Sequence, residues 1–227
     1  MPPDFFAAAL IVARKDLAIE FRTRSAYFSA LVFALLAIVV FYFAWDRTAV
    51  GSGDLAPGVI WVIFVFGGLL GLHRSFGVEM HDRALDALLA APVPRESLFV
   101  GKALANLVFV LGVQVIAIPA VFVLYKVPLG IEILYVIGLA VLAAIGFVAV
   151  GTLFSSMASN TRLAELLLPL LTLPFFIPVV VAAASSSQRV IAGRPLAESM
   201  AWLQLLVAFD IVFVYACTFA FPYTLEE

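Results

Sequence analysis

The sequence predicts an all-α integral membrane protein with six transmembrane helices in one domain, 1–227, and three observations carry that prediction. The first is composition. Of 227 residues, 65% are apolar and only 12% are charged, with a mean hydropathy of +1.16. A soluble domain carries about 25% charge, and one soluble core cannot absorb this excess of apolar residues. The second is six runs, each near the roughly 20 apolar residues needed to cross the hydrocarbon. They fall at about 25–45, 55–73, 98–125, 133–157, 163–184 and 199–221. The third is a lopsided distribution of cations between the runs. One side of the membrane collects Arg14, Lys15, Arg22, Arg24, Arg74, Arg83, Arg95, Lys102 and Arg162, and the other only Arg47, Lys126, Arg189 and Arg194. The positive-inside rule puts the first set in the cytoplasm, and an even number of spans puts both termini there too.

Composition also removes function classes. A net charge of -2 gives no case for nucleic acid. Cys217 is the single cysteine, so neither an internal disulfide nor an all-cysteine metal site is available, and two histidines make a structural zinc unexpected. A cleaved signal peptide is not expected, because Asp4 precedes the first apolar residues and charges return at Arg14.

Before the first span, residues 4–24 read as an amphipathic helix. Phe6, Leu10, Leu17 and Phe21 lie within about 60° on a helical wheel, with Lys15, Arg22 and Arg24 roughly opposite. Such a helix lies in the interface with its apolar side in lipid and its basic side toward headgroups. The alternative is a watery extension of the first span, in which Arg14, Lys15, Asp16 and Glu20 stay clear of hydrocarbon.

A second amphipathic segment, 78–91, falls between the second and third spans. Val78, Leu85 and Leu89 share one side, and Glu79, Asp82, Arg83 and Asp86 form a compact, mainly acidic patch beside it. Asp82 and Asp86 are like charges one turn apart, which an isolated helix disfavours. Arg83 or a basic partner must offset them. Pro92 and Pro94 end the helix, since proline lacks the amide donor. The segment is either a solvated loop helix or a docking element for a cytoplasmic motor. With the N-terminal helix and six spans, the second reading gives the arrangement of type-2 ABC exporter membrane subunits, an architectural analogy.

The residues around this segment carry a closer resemblance. Ala56-Pro57-Gly58-Val59-Ile60-Trp61 opens the second span, Leu72-His73-Arg74-Ser75-Phe76 closes it, and Ala84-Leu85-Asp86-Ala87-Leu88-Leu89 and Pro92-Val93-Pro94 follow. In that order they resemble the heme exporter protein B family, the permease-like subunit of the ABC complex for cytochrome c maturation. KDLAIEFRTRSAYF at 15–28 and LLLPLLTLPFFIPVVVAAA at 166–184 are also similar to that family. Two departures stand out: His73, where many members carry an acid, and Asp82-Arg83, where many carry Asp-Gly.

The resemblance implies a non-enzymatic subunit of the bacterial inner membrane. It implies a separate ABC ATP-binding subunit that carries the ATP, in a complex of two permease and two ATPase chains. A heme-handling membrane subunit joins them. Motor movement would pass through the 78–91 helix, and the complex would deliver heme to a periplasmic heme chaperone. The other readings are a type-2 permease for another hydrophobic substrate, such as a lipid or drug, and a non-conducting scaffold subunit.

The residues themselves give heme little. His73 and His81 lie eight positions apart, about 80° around a helix, and do not form a clamp. Trp45, Trp61 and Trp202 are scattered near span ends, where aromatic belts lie. No bound cofactor or metal is expected on this chain. Sequence motifs for a P-loop, a nucleophile elbow or a zinc protease are absent, so ATP hydrolysis belongs to a partner.

Two intramembrane features remain. Asp210 interrupts the sixth span, where a charged Asp costs roughly 2.5 to 3.5 kcal/mol on insertion scales. It is expected to face the bundle, a partner or a wet cavity. Pro169, Pro174 and Pro178 in the fifth span each remove a backbone hydrogen bond and act as fixed bends or hinges. The stretch 182–199 reads as a periplasmic or re-entrant loop. Gly67, Gly68 and Gly71, with Gly138, Gly146 and Gly151, are expected to allow close helix contact within the chain or in a homodimer.

Overall fold

In hydrocarbon no water is present to satisfy backbone amides, so each span must pair its own N–H and C=O groups. The architecture follows that demand. The computed structural model describes residues 4–45, 51–81, 94–159 and 164–225. Among them are seven α-helices and two short 3-10 turns, with no strand. The helices are α1 (Phe5–Thr23), α2 (Ser25–Ala44), α3 (Ser52–His81), α4 (Arg95–Leu124), α5 (Ile131–Ser159), α6 (Ala164–Ile191) and α7 (Met200–Ala220). The turns are Leu196–Ser199 and Phe221–Leu225. Six helices, α2 to α7, are long and apolar enough to cross a membrane. This is a multi-pass membrane protein.

The chain leaves α1 through Arg24, which takes a left-handed conformation with φ 53° and donates its N–H to Glu20 O at 2.6 Å. Glu20 then works in the other direction. Its carboxylate accepts the Tyr27 N–H at 2.9 Å, satisfying one of the orphan amides at the start of α2. One acid therefore helps fix the junction between the two helices.

Helices α3 and α5 form the centre. The membrane-crossing part of α3 is 72% buried inside the protein, against 28% for α2 and for the segment containing α7. α3 packs against α2, α4, α5 and α6, and α5 against α3, α4, α6 and α7. Between them, Phe64 and Phe147 meet with ring centroids 5.0 Å apart, and Phe147 stacks on Phe176 of α6 at 4.0 Å. The Phe147 ring sits where Gly68 has no side chain: a Cβ there would lie 2.5 Å from it. Gly71 receives Phe109 and Gly151 receives Leu72 in the same way. Gly138 has nothing within 4 Å, so it plays no part in close contact. α2 uses alanine instead. Ala26, Ala30, Ala34 and Ala37 make a buried stripe at helical spacing, while Val32, Leu36, Val40 and Phe43 remain outside on the lipid side.

Three expectations need correction. The stretch 182–199 is not a loop throughout, because α6 continues to Ile191. Its serines are held in the helix: Ser187 donates to Ala183 O at 2.7 Å, and Ser186 shares a 2.8 Å hydrogen bond with Tyr135. The stop comes at Gly193, with φ +72° and Pro195 just beyond. Second, Trp61 is no belt residue. It is 1% exposed and donates its indole N–H to Ser187 Oγ at 3.0 Å. Third, residues 78–81, expected to open a separate helix, are the end of α3: the second span closes at His73, as expected, but the helix runs unbroken to His81.

Helix α1 docks along the first third of α4 through Ala8, Ala9, Val12 and Ala13. Gly101 makes that approach possible, since a Cβ there would lie 2.6 Å from Ala9 O and 2.7 Å from Val12 Cβ. One of these atoms is backbone and cannot swing aside. Gly101→Val is expected to cost about 1–3 kcal/mol and to lower the thermal midpoint of the detergent-purified chain. A midpoint equal to that of the parent would show that α1 is not seated on α4.

Candidate functional site

At 1.5 Å per residue, the 30-residue helices α3 and α4 are each about 45 Å long. A bilayer core is about 30 Å thick, so each has surplus to place outside it. The apolar part of α3 ends at His73, which leaves 74–81 as surplus. The surplus of α4 is its first turns, where Arg95, Glu96 and Lys102 lie. Both protrude from the same end of the bundle, as the ties between them show. Ser155 Oγ of α5 donates to Leu72 O of α3 at 2.7 Å. Asn106 Nδ2 of α4 donates to Thr152 Oγ1 of α5 at 3.0 Å. The C-terminal turn joins the same end, where Phe99 meets Phe221 with centroids 5.3 Å apart and Ser156 bonds Thr224 at 3.0 Å.

The protruding part of α4 is braced by α1. Lys102 is 2% exposed, and its ammonium reaches Asp16 of α1 at 3.2 Å. Lys15 lies 3.1 Å from the other oxygen of the same carboxylate. Exposed Phe6, Leu10 and Phe21 leave α1 an apolar outer side, while its alanines face α4. The wheel identified the outer side and missed the inner one, because alanine scores as neither strongly apolar nor polar.

The residues expected to dock a motor divide at this point. Glu79 falls in the last turn of α3. Asp82, Arg83, Leu85, Asp86 and Leu89 lie outside the described residues. The chain re-enters at Pro94, the N-cap of α4, where Ser97 Oγ donates to Pro94 O at 2.6 Å. The segment 82–93 is thus bracketed by two helices that reach beyond the hydrocarbon at one end of the bundle.

Asp210 lies on the inner side of α7 at 7% exposure, against α5. Its Oδ1 comes within 2.5 Å of where a Gly146 Cβ would be, with Phe209 beside it. Neither carboxyl oxygen has a hydrogen-bond partner of good geometry among the described residues. Glycine at 146 is therefore what admits the acid to the α5–α7 interface. The three prolines do not break α6. Pro169, Pro174 and Pro178 sit within one continuous helix, which is anchored between them by Phe175 on Phe154 and Phe213, and by Phe176 on Phe147. Leu166, Leu170, Leu173, Ile177 and Val181 form its exposed apolar side.

The sequence matches the family described as CcmB protein over residues 7–227. This chain belongs to the CcmB protein family. It is 27% identical to heme exporter protein B of Rhodobacter capsulatus over 204 residues, covering 88% of this chain and 91% of that one. It is 27% identical to heme exporter protein B of Paracoccus denitrificans over 206 residues, covering 91% and 93%. With heme exporter protein B of Pseudomonas aeruginosa it shares 28% identity over 208 residues, covering 88% and 89%. In this chain, the motif residues Ala56, Trp61 and Leu72 all lie in the buried centre, on α3.

Two outcomes test this geometry. Asp16→Ala removes the carboxylate 3.2 Å from the buried Lys102 ammonium, and is expected to destabilise by about 1 kcal/mol or more. Lys102→Met, which removes the buried charge, should lower the thermal midpoint less; the reverse order would refute the brace. A cysteine replacing Asp210 is expected to resist a maleimide delivered from the lipid phase, while one replacing the exposed Ile211 labels readily. Equal labelling would place residue 210 on the lipid side.

Proposed function

We propose that this chain is the membrane subunit of an ABC exporter complex that supports heme delivery to a periplasmic heme chaperone during cytochrome c maturation. The observation that carries this reading is the pair of over-long helices, α3 and α4, that bracket the acidic segment 82–93 at one end of a six-span bundle. Membership in the CcmB family and the name heme exporter protein B borne by its relatives support heme as the cargo.

On this reading the chain is a transport component and not an enzyme, and a separate ATP-binding subunit supplies ATP hydrolysis. Glu79, Asp82, Arg83 and Asp86 present charge to that subunit, and Leu85 and Leu89 give the segment an apolar side to seat. Displacement of the segment passes into α3 and α4, which cross the bilayer without interruption. Pro169, Pro174 and Pro178 soften α6 on the far side of the central α3–α5 pair. A heme-handling membrane subunit and a second copy of this chain complete the assembly. The complex sits in the bacterial inner membrane, with both termini and the 82–93 segment on the cytoplasmic side. The concentration of Lys and Arg at that end supports this orientation.

The test is co-purification from native membranes in mild detergent, with partners identified by mass spectrometry. An ABC ATPase and a heme-handling membrane protein are expected together. An ATPase without the second would favour an exporter of another hydrophobic substrate. Asp82→Lys combined with Asp86→Lys should release the ATPase while the thermal midpoint of the chain stays unchanged. Retention of the ATPase by that variant would sink the docking role.

A further inference from the structure

An apolar cleft of about 360 Å³ opens where α1, α2 and α4 meet. Leu17 and Phe21 of α1, Phe28 of α2, and Val108 and Phe109 of α4 form its walls. Tyr27 closes it on the inside, donating its hydroxyl to Gly112 O at 2.9 Å and meeting the Phe109 ring edge-on at 6.0 Å. Phe21, Phe28 and Val108 are 68%, 56% and 47% exposed, so the cleft opens sideways, toward the space that lipid fills. It does not lead into the bundle.

Its charged groups are Glu20 and Arg24, at the turn between α1 and α2. Glu20 is there, but its carboxylate is engaged by the Tyr27 N–H. Arg24 is also there, exposed, with Nε donating to Phe21 O at 3.1 Å. No carboxylate among the described residues pairs with its guanidinium. Exposed Arg22 in the last turn of α1 adds further positive charge. The depth is informative. Arg24 is the last residue before the first span, so the charged end stands at the headgroup level and the apolar walls continue into the hydrocarbon.

The backbone gives an independent reason to attend to Arg24. At φ 53° it occupies the left-handed region, which is disfavoured for any residue with a Cβ and is where glycine usually ends a helix. The turn from α1 to α2 alone would be better served by glycine. What arginine adds at this position is a guanidinium on the rim of the cleft.

We propose that this cleft binds an anionic phospholipid of the leaflet where the Lys and Arg residues are concentrated. One acyl chain lies against Phe21, Phe28 and Phe109, and the phosphate sits on the Arg24 guanidinium, which suits it in charge and in planar donor geometry. The lipid would wedge the junction of α1, α2 and α4, next to the α1 brace on the protruding part of α4. This requires that the chain span a bilayer and is independent of heme and of any ATPase.

The test is native mass spectrometry of the full-length chain released from nanodiscs holding phosphatidylglycerol and phosphatidylcholine in equal amounts. Preferential retention of phosphatidylglycerol is expected. Arg24→Gln should reduce that preference about fivefold. Arg24→Gly should reduce it equally while leaving the thermal midpoint unchanged or higher, which separates lipid binding from folding. Val108→Trp, which fills the cleft, should lower retention of both lipids. Equal retention of the two lipids by the parent chain, or an undiminished preference in Arg24→Gly, would overturn the proposal.

Discussion

Every feature of this chain is subordinate to one constraint: a backbone polar group in hydrocarbon has no water to bond. Helices satisfy that demand alone, and seven of them account for most of the described residues. The same solvent removes the usual reason for helices to associate, because lipid tails are as apolar as leucine. Fit has to supply what hydrophobicity cannot. In this bundle fit takes one recurring form, an aromatic or branched side chain entering the space of a glycine, as Phe147 does at Gly68, Phe109 at Gly71 and Leu72 at Gly151. α2 reaches similar closeness with its alanine stripe.

Polar contacts are then rationed to places where they do a specific job. Towards one end, Trp61, Ser187, Tyr135 and Ser186 link α3, α5 and α6. At the other, Ser155, Asn106 and Thr152 tie α3, α4 and α5 together, and Lys102 with Asp16 fastens α1 to α4. These ties stiffen the end from which α3 and α4 protrude. From that end α3 and α4 each run as one continuous helix to the glycine–aromatic contacts at the centre of the bundle. Asp210 stands apart from both groups. It lies in the interface between α5 and α7, where Gly146 leaves room for it.

The turn around Arg24 concentrates several of these themes. Helix α1 must turn into the first spanning helix, α2, and the turn is fixed by Glu20 and by a left-handed arginine. The same turn shapes an apolar cleft with the cationic Arg24 among its lining residues. Junctions of this kind are where a membrane protein meets its solvent most specifically.

Hydropathy and charge counts, which need no third dimension, determined the class and the six spans, and set the expected orientation. The family resemblance was legible in ordered motifs around α3. The helix end at Ile191 was readable too, from Gly193 and Pro195, but the serine run before it resembled a loop because hydroxyls lose that character only when a neighbour such as Trp61 or Tyr135 supplies a partner. Which side of α1 docks, that Lys102 is buried against Asp16, that Gly101 rather than Gly138 is a contact point, and where Asp210 points were decided by tertiary structure alone. The physical reason is common to all four. Solvent preference is a property of a residue and is written in the sequence, whereas shape complementarity and ion pairing across helices are properties of two surfaces, and exist only once both are in place.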